Sequence, residues 1–192
     1  MQEAELINRL KQKDEDAFRI IFNDNQKKIL NVCYRLVNDE DAAQDLTQEV
    51  FIKVWSSINQ FRNESKLSTW IYRIAVTGSL DYLRAQKRKK RLAVFNYFSG
   101  GGEKQFEIKA PNDQDPQMLM ENAERFEVLN DALNKLPENQ RVSFLLSKDD
   151  EMSAKEIAMI LSTTVSSVES LIHRAKKNLE RILYNYYKKQ IV

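Results

Sequence analysis

The segment Arg84 to Arg91, RAQKRKKR, places six cationic side chains within eight residues. Like charges that dense repel one another. Compensation of a helix dipole at its C-terminus accounts for one or two of them, so the remainder points to a polyanionic ligand such as nucleic-acid phosphate. The opposite charge gathers earlier: between Leu36 and Ile52 stand five acidic residues, Asp39, Glu40, Asp41, Asp45 and Glu49, with no Lys or Arg. With Phe51 and Trp55 at helical spacing, that stretch reads either as a solvated face or as a protein docking surface with an acidic rim and aromatic anchors. A third set lies near the C-terminus, where Ser166, Ser167, Glu169, Ser170, His173, Arg174 and Lys177 share the outer face of a helix. Such side chains reach base edges and phosphates when the helix enters a major groove. The aromatic faces of Phe61, Trp70 and Tyr72, upstream of the basic run, suit stacking on unpaired bases or burial in a core.

Other chemistries lack their residues. His173 is the only histidine and Cys33 the only cysteine, so a histidine pair, an intrachain disulfide and a cysteine-based zinc site are all excluded. No catalytic constellation is visible, and neither cofactor nor metal is expected. Cys33, within ILNVCYRLV, reads as a buried core thiol. The first residues, MQEAELINRLKQKDED, hold no apolar signal core, and no apolar run approaches the roughly 20 residues that span a bilayer. The expectation is a cytoplasmic protein without membrane insertion. The formal net charge is only +2 although 30% of residues are charged, so any basic surface comes from segregation of charge along the chain.

The elements that must carry these groups are helical. Apolar residues recur at three and four, and no strand-like alternation persists. Ala17, Phe18, Ile21, Phe22, Ile29, Val32, Cys33 and Leu36 suit the buried face of one long helix, with a bend expected near NDN. Asp39 or Asp41 starts the next, with Ala42, Leu46, Val50, Val54 and Phe51 inward. The loop NQFRNESK then leads to a helix holding Trp70, Ile71, Ile74, Leu80 and Leu83. Gly100, Gly101, Gly102, Pro111 and Pro116 concentrate between Ser99 and Gln117, the mark of a linker, although AVFNYF before it could pack against the first domain. Beyond it FEVLNDALNKL is helical and Pro137 precedes another helix. Ser153 and Glu156 form a capping box, STT breaks that helix, and a second starts at Thr164 or Ser166, burying Val165, Val168, Ile172, Ala175 and Leu179. Two short helices around a three-residue turn describe a helix-turn-helix. Two small cores are expected, one per domain.

Several stretches, in order, resemble one family. DAAQDLTQEVFIKVW (41–55), FRNESKLSTWIYRIA (61–75), SLDYLRAQKRKK (79–90), LNKLPENQRVSFLL and MSAKEIAMILSTTVSSVESLIHRAKKNL are similar to the extracytoplasmic-function sigma factors of bacterial RNA polymerase. The resemblance implies an all-α fold of two domains: a region 2 helical bundle over 1–91, a flexible linker over 92–120, and a region 4 helix-turn-helix over 121–192. It implies a transcription initiation factor, not an enzyme, that binds core RNA polymerase, recognises promoter DNA and helps to melt it. Asp45, Leu46, Gln48, Glu49, Phe51 and Trp55 fall on the segment that docks on the clamp of the beta-prime subunit. Arg62, Asn63, Glu64, Ser65 and Lys66 fall on the loop that captures a flipped base of the minus-ten element. Trp70, Arg73, Thr77, Asp81, Arg84, Lys87 and Arg88 face that element from the following helix. The outer row from Ser166 to Lys177 falls on the reader of the minus-thirty-five element, in a domain that also contacts the beta flap. Both surfaces are expected open in the free chain, and an anti-sigma factor is a further partner implied. Glu169 and Leu171 stand where relatives often carry Lys or Arg, and Thr77 where they commonly carry Asn.

The residues alone leave two rival functions. A helix-turn-helix regulator binding an operator as a dimer gives no role to the acidic helix and the FRNESK loop. A helical protein-interaction adaptor, with its basic runs merely solvated, predicts negligible affinity for DNA.

Overall fold

The computed structural model describes residues 3–97, 125, 127–148 and 152–190, without the side chains of 90–97 and 189–190. Among the described residues every regular element is a helix. Helix α1 (Glu3–Lys11) carries Glu3 and Glu5 in its first turn and Arg9 and Lys11 in its last, the charge order that complements its dipole. Its end is sharp. Lys13 takes a positive φ of 64°, and Asp14 caps α2 (Glu15–Val37) by accepting from the Asp16 and Ala17 amides at 2.9 and 3.1 Å. Arg9 closes the corner on Asp14 at 2.8 Å and holds its carboxyl below the usual range. This separate α1 was not anticipated, whereas α2 runs as one helix through Asn23, Asp24 and Asn25.

Asn38 ends α2 in the left-handed conformation, its amide bonded to the Tyr34 carbonyl at 2.7 Å. Asp39 then caps α3 (Glu40–Ser57) through the Ala42 amide at 2.9 Å, so two consecutive cap residues turn the chain back on itself. A single 3-10 turn, Ile58–Gln60, leads into an irregular loop over 61–66 in which Asn63 has a φ of 58°. Helix α4 (Leu67–Tyr97) follows; at 1.5 Å per residue its 31 residues extend about 46 Å. Its first turn is anchored from outside, because the Leu67 amide donates to the Glu3 carboxylate at 2.9 Å. The helix carries the backbone into the first residues of the expected linker; the rest of that linker, including Gly100 to Pro116, and the packing of the AVFNYF side chains lie outside the described residues.

In the second half, α5 (127–134) is followed by α6 (Glu138–Leu146), entered directly after Pro137, then α7 (Ala154–Ile160) and α8 (Val165–Gln190). Ser153 and Glu156 close the capping box of α7 in both directions. Ser162, at a φ of 53°, makes the turn, and Thr164 caps α8 by accepting from the Ser167 amide at 3.2 Å.

Packing departs from two separate cores. Helices α2, α3 and α4 pack on one another, α6 and α7 pack on α8, and in addition α4 meets α7 and α2 meets α6. One apolar cluster therefore runs from Ile7, Ile21, Leu36, Val54 and Ile71 into Val142, Leu146, Ile157, Ile160 and Val168 of the second half. A smaller cluster, Ala132, Leu133, Leu136, Ala175 and Leu179, lies between α5 and α8. Cys33 is buried, as its apolar surroundings predict, and burial raises its thiol pKa.

Candidate nucleic-acid interface

Helix α3 divides cleanly by periodicity. Ala42, Ala43, Leu46, Val50, Phe51 and Val54 are buried, while Asp41, Gln44, Asp45, Gln48, Glu49 and Ile52 are exposed. Of the six residues the sequence assigned to polymerase docking, Asp45, Gln48 and Glu49 therefore stand outward and Leu46 and Phe51 stand in the core. Phe51 is 2% exposed and meets Phe22 edge-on at 4.7 Å. Trp55 is half-buried, 5.1 Å from Phe18 and covered by the Lys13 ammonium at 4.9 Å from its ring centroid. Sequence reading passed over Ile52. At 67% exposure it is a branched apolar side chain among acidic neighbours, one turn on from Gln48 and Glu49, and its place outside the inward stripe was the available signal.

The loop before α4 presents Arg62, Asn63, Glu64 and Lys66 to solvent, with Ser65 half-buried. Phe61 and Tyr72 are each 4% exposed, so neither offers a free face for stacking; both fill the core that holds the loop. Trp70 differs. It leans on Phe61 at 5.4 Å between ring centroids and remains half-buried, on the wall of a cavity of about 490 Å³ shared with Glu64, Arg73, Lys155, Met159 and Val165. Val165, expected inward, is 40% exposed, because the first residue of α8 overhangs this cavity instead of meeting the apolar stripe.

Along α4 the exposed row is Arg73, Thr77, Asp81, Arg84, Lys87 and Arg88. These residues recur at three and four, so the helix presents them as one strip. Thr77 donates its hydroxyl to the Arg73 carbonyl at 2.8 Å. Ser79 sits fully buried behind the strip, its hydroxyl beside the buried Cys33 thiol. Two cations are not free. Lys66 pairs with Glu156 at 2.9 Å, and Arg84 holds Asp81 at 3.1 Å while also gripping both carboxylate oxygens of Glu138. Their carboxylate partners raise both cations' pKa above the ordinary values. The surface expected to be open is thus partly covered, since the helices carrying Glu138 and Glu156 pack on the first half.

Glu156 itself is held at about 2, chiefly by hydrogen bonds from the Ser153 hydroxyl and amide and then from Lys66. On α8, Ser166, Glu169, Ser170, His173, Arg174 and Lys177 are exposed and Ser167 is half-buried, while Val168, Ala175 and Leu179 are buried on the opposite side. The helix-turn-helix face is therefore open along its length. These placements put three chemically distinct surfaces on one chain: an acidic stripe with an apolar centre, an aromatic and cationic strip behind a loop, and a polar to basic helix face.

Comparison with known proteins agrees in order and extent. Residues 21–89 match the family model described as Sigma-70 region 2, and residues 126–179 match that of Sigma-70, region 4. The RNA polymerase sigma-H factor of Pseudomonas aeruginosa is 30% identical over 186 residues, spanning 95% of this chain and 94% of its own length. The ECF RNA polymerase sigma-E factor of Escherichia coli K12 is 32% identical over 181 residues, 91% of each. Among solved structures, CnrH in complex with the cytosolic domain of CnrY superposes with a TM-score of 0.68 at 19% identity, covering 95% of this chain and 97% of that one. RpoE of Bartonella quintana, solved with the anti-sigma factor NepR, gives 0.60 at 22%, covering 87% and 96%. At those identities the likeness is one of fold.

Proposed function

The chain belongs to the extracytoplasmic-function sigma factors of RNA polymerase, and on that premise we propose how its three surfaces divide the work of transcription initiation. Residues 1–91 act as region 2, 92–120 as the linker and 121–192 as region 4. The exposed stripe of α3, Asp45, Gln48, Glu49 and Ile52, docks on the clamp of the beta-prime subunit, with Leu46, Phe51 and Trp55 setting its position from beneath. An apolar centre in a charged rim is the composition of a protein interface, and Ile52 supplies the side chain that loses water on docking.

Arg62 to Lys66, with Trp70, receive a base turned out of the nontemplate strand. The supporting observation is that Trp70 alone of the nearby aromatics keeps part of its surface free beside a polar loop. Stacking on an aromatic holds any base without reading its edge, so selectivity falls to the loop's amide, carboxylate and hydroxyl groups. Arg73, Arg84, Lys87 and Arg88 hold the strand's phosphates, which positions the strand without specifying sequence. Region 4 lays α8 in the minus-thirty-five major groove. There Glu169 accepts from a cytosine amino group, while Arg174 and Lys177 meet phosphate or guanine. The protein itself performs no bond chemistry; polymerisation belongs to core polymerase. No helix among the described residues is long and apolar enough to cross a membrane, in keeping with work in the cytoplasm beside the polymerase. An anti-sigma partner fits the same surfaces.

The observation that carries this reading is the order of the three surfaces on one chain, each with the chemistry its partner needs. Run-off transcription with purified core polymerase, on the promoter of the chain's own operon, tests it. Specific initiation dependent on the protein is expected. Tight binding of the protein alone to that DNA, with core polymerase left inactive, would instead favour an operator-binding regulator.

A further inference from the structure

We propose that the cavity between the loop over 61–66, α4 and the turn before α8 is a binding site for a nucleoside 5′-phosphate, with Trp70 under the base and Arg73, Lys155 and the first amides of α8 around the phosphate. The geometry stands whichever macromolecule the chain serves.

The cavity has the size and the mixed lining of a small-molecule site. Its volume of about 490 Å³ lies within the roughly 300–1,000 Å³ of such sites. Two helices supply its cations, Arg73 on α4 and Lys155 on α7. Both are exposed and neither has a carboxylate partner among the described residues, although Lys66 and Arg84 are each paired. Glu64 is the one carboxylate on the wall, so the lining keeps an excess of positive charge. Two cations facing one hollow repel each other until an anion lies between them.

The turn adds donors that no side chain uses. Thr164 accepts from the Ser167 amide at 3.2 Å, and its carbonyl takes the Val168 amide at 3.0 Å. The amides of Val165 and Ser166 are left without partners among the described residues. Thr164 and Val165 line the cavity, so the positive end of a 26-residue helix opens on the same space as the two cations. Thr69 is an independent sign. It is 6% exposed, it lines both this cavity and a smaller one of about 220 Å³, and its hydroxyl has no hydrogen-bond partner among the described residues. Buried hydroxyls are ordinarily bonded, so this one is held ready for a polar atom that the chain does not itself provide.

The aromatic wall makes the ligand a nucleotide and not a simple anion. Trp70 leans on Phe61 and stays half-buried at the cavity wall, where its ring stacks on a base of any identity. Arg73 follows Trp70 by three residues, one turn along the same face of α4, a spacing that lets a single ligand touch both. Glu64 on the loop accepts from an exocyclic amino group, which favours adenine, guanine or cytosine. This Trp70 surface is also the one assigned above to the flipped base, so a bound nucleotide and the minus-ten strand exclude each other.

Isothermal titration calorimetry of the full chain with AMP, and separately with adenosine and with inorganic phosphate, tests the proposal. Saturable binding of AMP is expected, with adenosine and phosphate each weaker by about tenfold or more, the loss that goes with one charge-assisted or stacking contact. Lys155→Gln, at an exposed position outside the three surfaces assigned above, is expected to weaken AMP by about tenfold and to leave run-off transcription with core polymerase unchanged. Trp70→Leu is expected to weaken AMP and leave the affinity for phosphate as it was. No saturable binding of AMP, or phosphate alone binding as tightly, overturns the site: the cavity then holds water or an adventitious ion only. AMP binding that survives Lys155→Gln also overturns it. Run-off lost in that variant along with AMP makes the cavity part of the promoter surface, and the inference fails again. A wild-type chain that directs no transcription would sink the functional assignment and leave the calorimetry as it stands.

Discussion

Replacing Phe51 by Leu, and separately Asp45 and Glu49 by Lys, sets two roles of α3 against each other. Phe51 is 2% exposed, 4.7 Å from Phe22 and 6.4 Å from Phe18, edge-on to both. Truncating such a ring to Ala costs about 3–5 kcal/mol. Leu keeps most of the buried volume, so the loss is the two edge-to-face contacts, each about 0.5–1.5 kcal/mol, or about 1–3 kcal/mol together. Against a domain stability of about 5–15 kcal/mol, the Leu variant remains folded, with a Tm lower by about 2–4 °C per kcal/mol. Asp45 and Glu49 are exposed, and their substitution changes stability by no more than about 0.5 kcal/mol each. Guanidinium unfolding and capture of core polymerase are then measured on the same preparations. The structure requires Phe51→Leu to shift the unfolding midpoint and keep the polymerase, and the lysine pair to leave the midpoint in place and lose the polymerase. A Phe51→Leu protein of unaltered stability that no longer holds core would refute the division, for the ring would then belong to the docking surface.

Gly78 lies within α4, and a β-carbon built on it would come 3.9 Å from Leu46 Cδ2, an ordinary contact. Gly78→Ala should therefore raise stability by about 0.5–1 kcal/mol, seen as a Tm higher by a few degrees; a lower Tm would mean that α4 needs its freedom there. Glu156 ionises at about 2 in the folded chain against an ordinary 4.5, so its stabilisation is complete above pH 4.5 and is lost as pH falls towards about 2. The Tm advantage of the wild type over Glu156→Gln should accordingly be full at pH 6 and shrink below pH 4.5, whereas a gap constant with pH would show that the carboxylate's charge has no part in it. Trp70→Ala, made at a half-buried ring, should reduce promoter opening much more than capture of core polymerase; equal losses of the two would place Trp70 in the scaffold.

The helices themselves were legible because local chemistry dictates them. Asp39, Ser153 with Glu156, and Thr164 cap as their side chains predict, and the three-to-four spacing of Ile21, Ile29, Val32 and Leu36 fixes the buried side of α2. Asp14 was an equally readable cap, but the apolar period continues across it and hid the start of α2. Periodicity also marks only a face, not what lies over it. Phe61 and Tyr72 resembled stacking aromatics because their neighbours are polar, yet both are drawn under the loop by the core formed with α2 and α3. The pairing of the halves was not legible at all: Lys66 and Glu156 are 90 residues apart, Arg84 and Glu138 54. An exposed Lys or Glu carries no local sign of a distant partner.

The division of surfaces is tested most directly by reversing Arg84, Lys87 and Arg88 to Glu and following permanganate reactivity of minus-ten thymines, with core binding measured in parallel. The account predicts that core polymerase is still captured with near wild-type affinity while the thymines stay unreactive, because the strand has lost its phosphate contacts and α3 has lost nothing. Core binding lost together with opening would contradict it, and would place the polymerase on α4.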